Sequence, residues 1–196
     1  MKAINPRTGE ADFEFAETSP AELAAQAADL RARQAEWEAR GPQGRAAVLL
    51  ALAERMEAQA GPLTAALAID TGRQAVSRIE VEAVMRRLRG WAARGPQLFA
   101  DLPHAPASSA TPGIEIAARF NAFPLFGAIA PWNFPLLLSH VDAIPALMAG
   151  CAALVKPSEV TPRWVDPMRE VLAGVPELPL AYVMGGPMVG QALVEA

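Results

Sequence analysis

Three short apolar runs, LFGAIA (125–130), CAALVK (151–156) and LAYVM (180–184), alternate with helical patterns over 134–149 and after Thr161-Pro162. A strand that is apolar at nearly every position has to be covered on both faces, and helices between successive strands make those strands parallel. This part of the chain is therefore expected to be an α/β sheet of parallel strands. GQALVEA starts one more helical pattern just after the third strand, where the sequence stops. A doubly wound sheet cut there has an unfinished edge, so the chain is expected to be truncated at its C-terminal end.

Upstream, the texture is helical. Residues 19–40 open with Ser19, Pro20 and Glu22, a capping box with proline at the first helical position, and continue as a stripe of Leu23, Ala27, Leu30, Gln34 and Trp37. Gly41-Pro42 ends that helix. A second is expected over about 43–60 (Val48, Leu52, Met56), and a shorter one from Gly61-Pro62 to Thr71-Gly72. A fourth runs over about 74–94 through Val76, Ile79, Ala83, Val84, Leu88 and Trp91. Such stripes read as helix–helix core packing. Residues 95–113 hold four prolines and read as a loop, and IEIAARF (114–120) reads as a half-exposed strand suited to an intersubunit arm.

Several functions are disfavoured by bulk properties. A net charge of −4 gives no electrostatic preference for nucleic acid, and the arginines of MRRLRGWAAR (85–94) are equally accounted for by a solvated helix face. One cysteine, Cys151, allows no internal disulfide and fits a reducing compartment. The apolar run 134–155 approaches membrane-spanning length, but Ser139, His140 and Asp142 with Pro135 and Pro145 interrupt it. MKAINPRTGEADF has no apolar core of signal-peptide type, so a soluble, cytoplasmic protein is expected. His104 and His140 have no partners at metal-ligand spacing.

Ligands of an open parallel sheet bind beyond the carboxyl ends of its strands. Three loops occupy that edge: PWNFP, KPSEVTP and GGPMVG. Asn133 lies just before a helix that Pro135 can start. Its amide is either a cap for that helix or a donor aimed at developing negative charge, and position alone does not decide. Lys156 and Glu159 place a cation and a carboxylate three residues apart at a strand end, where they can serve a diol such as a ribose or form a surface ion pair. GGPMVG departs from G-x-G-x-x-G at Pro187, which removes one backbone donor, and is a poor phosphate cradle by itself. Cys151, without a nearby cationic partner, reads as an inert buried thiol.

AIAPWNFPLLLSHVDAIPALMAGCAALVKPSEVTP (128–162) closely resembles the cofactor-domain segment of the NAD(P)-dependent aldehyde dehydrogenase superfamily. NPRTGE (5–10), residues 34–58 and IDTGR (69–73) resemble that family's N-terminal layout. The resemblance covers essentially the whole chain but less than half of a full member. It implies N-terminal helices plus an incomplete Rossmann-like parallel sheet. Residues 1–113 would be a helical segment and loop, 114–124 an oligomerisation strand, and 125–196 a partial dinucleotide-binding domain. Asn133 matches the asparagine that stabilises a thiohemiacetal oxyanion. Trp132 and the backbone at Ile129 would line the nicotinamide side, and Lys156 and Glu159 would bind the adenosine ribose hydroxyls. Ser158 and Gly186 complete the cofactor-side set. The implied cofactor is NAD, with NADP as the second choice because Glu159 opposes a 2′-phosphate. The implied partners are a small-molecule aldehyde and, at full length, further copies of the chain; nucleic acid and membrane are not among them. The family's nucleophilic cysteine and general-base glutamate are expected beyond residue 196, and FPLLL leans towards a hydrophobic or aromatic aldehyde. The alternative is a non-catalytic protein that keeps the half-fold for binding or assembly.

Overall fold

The computed structural model describes residues 1–102, 106–117 and 120–196; His104 and part of IEIAARF lie outside them. An antiparallel hairpin opens the chain, β1 (Lys2–Ile4) and β2 (Ala11–Glu14), with a positive-φ turn at Gly9. Four helices follow: α1 (Pro20–Ala39), α2 (Gly41–Ala58), α3 (Ala60–Thr71) and α4 (Gln74–Ala100). A two-residue ladder, β3 (Ala107–Ser108) with β4 (Glu115–Ile116), is fully exposed. The rest alternates: β5 (Leu125–Ile129), α5 (Pro135–His140), α6 (Ala143–Ala149), β6 (Ala152–Lys156), α7 (Val165–Ala173), β7 (Leu180–Tyr182) and α8 (Pro187–Glu195).

The three later strands pair in parallel in the order β5-β6-β7. β6 is central and buried at every position, so its alternating side chains feed two separate cores. On one face Ala152 and Leu154 meet Leu23, Ala27 and Leu30 of α1 with Val189 and Leu193 of α8. On the other, Ala153 and Val155 join Leu147, Met148, Trp164 and Met168, in a cluster that continues into α2, α3 and α4. No helix among the described residues is long and apolar enough to cross a membrane.

Local chemistry explains most boundaries. The Ser19 side chain accepts from the Glu22 N–H at 3.2 Å while a Glu22 oxygen accepts from the Ser19 N–H at 2.8 Å, closing the capping box, and the buried stripe of α1 is Leu23, Ala27, Leu30, Gln34 and Trp37. Gly72, at φ 69°, ends α3 in the left-handed region. The helical stretch expected over 134–149 is split at Val141-Asp142, since Pro145 would clash with the carbonyl four residues back.

Three expectations are corrected. α4 does not stop at Arg94 but runs to Ala100 through Pro96. Gly95 lets it approach Met148, whose Cγ would lie 2.5 Å from an added Cβ, and Phe99 packs on the core under the Arg45 guanidinium at 5.4 Å. Its buried face is Ser77, Glu80, Val81, Val84, Met85, Leu88 and Ala92, so Ile79 is exposed, not packed. α7 begins at Val165 with Trp164 as its cap, not at Pro162.

His140 closes the core beneath the sheet, with edge-on rings of Trp164 and Tyr182 around it. Its Nδ1 lies 2.7 Å from the Leu136 carbonyl, an obligate acceptor, so Nδ1 carries the proton and Nε2 accepts from the Tyr182 hydroxyl at 2.7 Å. Burial pushes the imidazole pKa down to about 4, against a bond to Leu136 that raises it. The unfolded chain therefore takes up a proton near pH 6.5 that the folded chain refuses until about 4. This contribution is complete above pH 6.5 and is lost as pH falls to 4, by up to about 3 kcal/mol. The buried Asp70 carboxyl, pushed up to about 6 by burial despite bonds from Arg163, acts in the opposite direction below that pH. We expect urea midpoints of wild type to fall more steeply from pH 7 to 5 than those of His140→Gln. Parallel curves would remove His140 as the cause.

Candidate functional site at the carboxyl edge of the sheet

β6 ends in a lysine because the strand's last position reaches the edge of both helical layers. Lys156 is still only 3% exposed. Its methylene stem runs along Gly190 of α8, where an added Cβ would lie 3.6 Å from Lys156 Cδ and 3.7 Å from Ile129 Cδ1. Its ammonium donates to a Glu159 oxygen at 3.0 Å and to the Pro157 carbonyl at 3.1 Å. The Ser158 hydroxyl accepts from the Val160 N–H at 3.2 Å, which turns the chain so that Glu159 faces back towards Lys156. Burial raises the Glu159 carboxyl, but its own backbone N–H and the Lys156 ammonium outweigh that, leaving it below its usual pKa.

The neighbouring strand delivers the opposite wall. The Ala130 N–H donates to the Lys156 carbonyl at 2.9 Å, carrying the β5–β6 pairing one step past Ile129. Ile129 is 55% and Trp132 60% exposed, and both border an opening of about 480 Å³ that Lys156, Ser158, Glu159, Pro187 and Gly190 complete. Thr161 ties the second loop to the first by donating to the Trp132 carbonyl at 3.4 Å. The structure thus brings Ile129, Trp132, Lys156, Ser158 and Glu159 to one opening. A cation beside a carboxylate between apolar walls suits a diol on an otherwise flat, weakly polar ligand, which is the chemistry of a nucleoside ribose.

Asn133 follows Trp132 on the same turn and is exposed. Its side-chain amide makes no hydrogen bond among the described residues, and the cap position of α5 is Phe134, without a side-chain cap. The helix start is instead served from α4. The Glu80 carboxylate, 1% exposed, accepts the Leu137 N–H at 2.9 Å; burial raises its pKa, and the backbone amides of Leu137 and Leu136 oppose that. Arg73 donates to the Asn133 carbonyl and lies 5.0 Å over the Phe134 ring. The Asn133 side chain therefore does not cap α5.

Gly186 differs from expectation in its surroundings. Its N–H donates to Glu17 Oε1 at 3.0 Å, and it does not border the opening. Within FPLLL, Pro135 and Leu136 are buried, Leu136 in the core, while Phe134, Leu137 and Leu138 are half-buried. Cys151 is buried at the amino end of β6, roughly 16 Å of strand away from Lys156. Burial raises its pKa, so the thiolate is disfavoured. Glu80 and Arg73 were not singled out in the sequence. The signal for Glu80 was its place four residues before Val84 on the buried side of α4, where a charge has no reason to be unless something caps it.

Parallel strands covered by helices on both faces, with a nucleoside-compatible opening at their carboxyl edge, define a Rossmann-like α/β cofactor fold. The chain belongs to the aldehyde dehydrogenase family, whose profile matches residues 1–196. It is 31% identical over 195 residues to N-succinylglutamate 5-semialdehyde dehydrogenase of Caulobacter sp. (strain K31), covering 98% of this chain and 40% of that protein. A provisionally assigned aldehyde dehydrogenase of Anabaena variabilis, PutA, superposes with a TM-score of 0.93 at 37% identity, over 99% of this chain and 41% of that one. An NAD-dependent benzaldehyde dehydrogenase of Corynebacterium glutamicum gives 0.82 at 26% identity, over 100% and 43%. The chain spans about 40% of the length of the curated relatives it matches first.

Lys156→Met keeps the apolar stem and removes the ammonium, one of the causes that hold Glu159 down. The Glu159 carboxyl resonance should then titrate at higher pH than in wild type, and an unmoved titration would show that the pair does not persist in solution.

Proposed function

We propose that residues 1–196 are the cofactor-side portion of an NAD(P)-dependent aldehyde dehydrogenase that oxidises an aldehyde to a carboxylic acid through a thiohemiacetal. The observation that carries this reading is the convergence of Lys156, Ser158, Glu159, Ile129 and Trp132 on one opening, with an uncommitted Asn133 amide next along the turn. When bound, the nicotinamide nucleotide supplies a hydride acceptor. Lys156 donates to, and Glu159 accepts from, the hydroxyls of the adenosine ribose, and Ser158 holds the turn that aims Glu159. The negative charge of Glu159 opposes a 2′-phosphate, so NAD is preferred over NADP. Ile129 and Trp132 form the apolar wall that excludes water from the opening. Gly186 contributes through the start of α8, where its N–H is already held by Glu17.

Asn133 performs the polar part of the chemistry. A thiolate adding to the aldehyde carbon moves an electron pair onto the carbonyl oxygen, and the Asn133 side-chain N–H donates to the oxyanion that forms. Cys151 is not that thiolate: it is buried at the wrong edge of the sheet. The nucleophile and the carboxylate that activates water for thioester hydrolysis are supplied from outside these residues. The exposed ladder around 107–116, with Ile114 and Ile116 in the open, is suited to join copies of the chain as an arm.

The 196 residues alone, given NAD and a panel of aldehydes, should produce no NADH absorbance; steady NADH formation would overturn the assignment of the missing groups. In a polypeptide carrying these residues over the family's full length, Asn133→Ala should lower kcat by about 10²–10³ with the KM for NAD unchanged. An unaltered kcat would refute the donor role.

A further inference from the structure

The loop that carries Asn133 is gripped by a helix remote in sequence. α5 is six residues long and begins at Pro135, so its first free amides are those of Leu136 and Leu137. A short helix usually satisfies such amides with a Ser, Thr, Asp or Asn at the cap, but Phe134 stands there. Glu80, nearly two turns into α4, accepts from the Leu137 N–H instead, and the Leu136 amide also favours its ionised form. Seven residues earlier, at the start of the same helix, Arg73 holds the Asn133 carbonyl and covers the Phe134 ring. The peptide units on either side of the Phe134-Pro135 step are therefore tied to one rigid element.

Packing alone does not account for Glu80. Its Oε1 is used, but Oε2 is buried with no hydrogen-bond partner among the described residues. A buried, half-satisfied carboxylate opposes folding, and an apolar side chain at this position would pack between α4 and α5 without that cost. What the carboxylate provides is a fixed negative charge against the positive, amino end of α5 and a fixed direction for the turn before it. Burial raises the pKa of the Glu80 carboxyl, and the amides at the start of α5, with the Arg73 guanidinium from the solvent side, oppose that shift.

We propose that Arg73 and Glu80 are positioning residues that together orient the turn at 133–137 so that the Asn133 amide points at the reacting carbonyl. This rests on the oxyanion role of Asn133 set out above. A donor must be pre-aimed to act without reorganisation during the reaction, and an exposed asparagine on an untethered turn would not be.

Two measurements test it. In the first, amide hydrogen exchange is followed in the 196-residue chain. Glu80→Ala should speed exchange at Leu136 and Leu137 by about tenfold or more, with the β6 amides of Leu154 and Val155 unchanged, and Glu80→Gln should restore part of the protection. No change at 136–137, or an equal rise in β6, overturns the clamp. Should Glu80→Ala not fold, Arg73→Ala, on a half-exposed side chain, should shift the Asn133 carbonyl carbon resonance; an unmoved resonance counts equally against the clamp. In the second, kcat is measured over the family's full length. Glu80→Ala should lower kcat in the wild-type background and have no further effect in Asn133→Ala, because it acts only through that amide. Additive losses would show a general structural role and overturn the positioning proposal. An exchange response at 136–137 together with an unaltered kcat in Asn133→Ala would overturn the oxyanion reading and leave the clamp standing.

Discussion

Complete burial of β6 is the constraint on which the rest of the structure depends. A five-residue strand with no exposed position has to have a helical layer on each side; one layer joins the two ends of the chain and the other comes from the helices between them. α1 from the beginning and α8 from the end share one face, while α2, α4, α6 and α7 share the other. The same burial fixes the register: Ala128 lies opposite Val155 and Ile129 opposite Lys156, so both strands reach the carboxyl edge together. The loops that follow them then emerge side by side, and the opening between Trp132 and Glu159 follows from that register.

Much of this could be read from the residues. The capping box of Ser19 and Glu22 and the stripe from Leu23 to Trp37 are local, and local chemistry decides them. The three apolar runs announce strands because continuous apolarity has few other outlets in so short a span. Other elements were hidden for physical reasons. The β1–β2 hairpin has four-residue strands at most and a long turn, so alternation never has room to show. α4 passes through Pro96 because its final turn is held by packing of Gly95 and Phe99, which is tertiary information. Val84, Leu88 and Trp91 on α4 do face the core, and Ile79 was misplaced because an apolar residue beside the stripe looks like part of it, while the buried Ser77 and Glu80 do not.

The site shows the same division. Lys156 and Glu159 were legible because three residues after a strand end is enough to bring a cation and a carboxylate together. Asn133 was ambiguous for a definite reason: a residue near a helix start can cap it, and only the arrival of Glu80 from 57 positions away shows that the post is already filled. The surroundings of Gly186 were hidden for a similar reason, since its amide is met by Glu17, from far upstream.

The guanidinium of Arg163 reaches Asp70 at the end of α3 and Asp12 in the N-terminal hairpin, while its plane lies 5.1 Å over the Phe13 ring. Residues from three remote stretches thus meet at one ionic node, with Arg163 and Asp70 closed to water and Asp12 at its open rim. Peeling the hairpin away would cost the guanidinium its second carboxylate and its aromatic cover, and freeing the segment after β6 would leave the buried Asp70 carboxyl without its cation. The hairpin, the third helix and the loop bordering the cleft are therefore coupled through one side chain, so that loosening the first fourteen residues is felt at the turn beside the site.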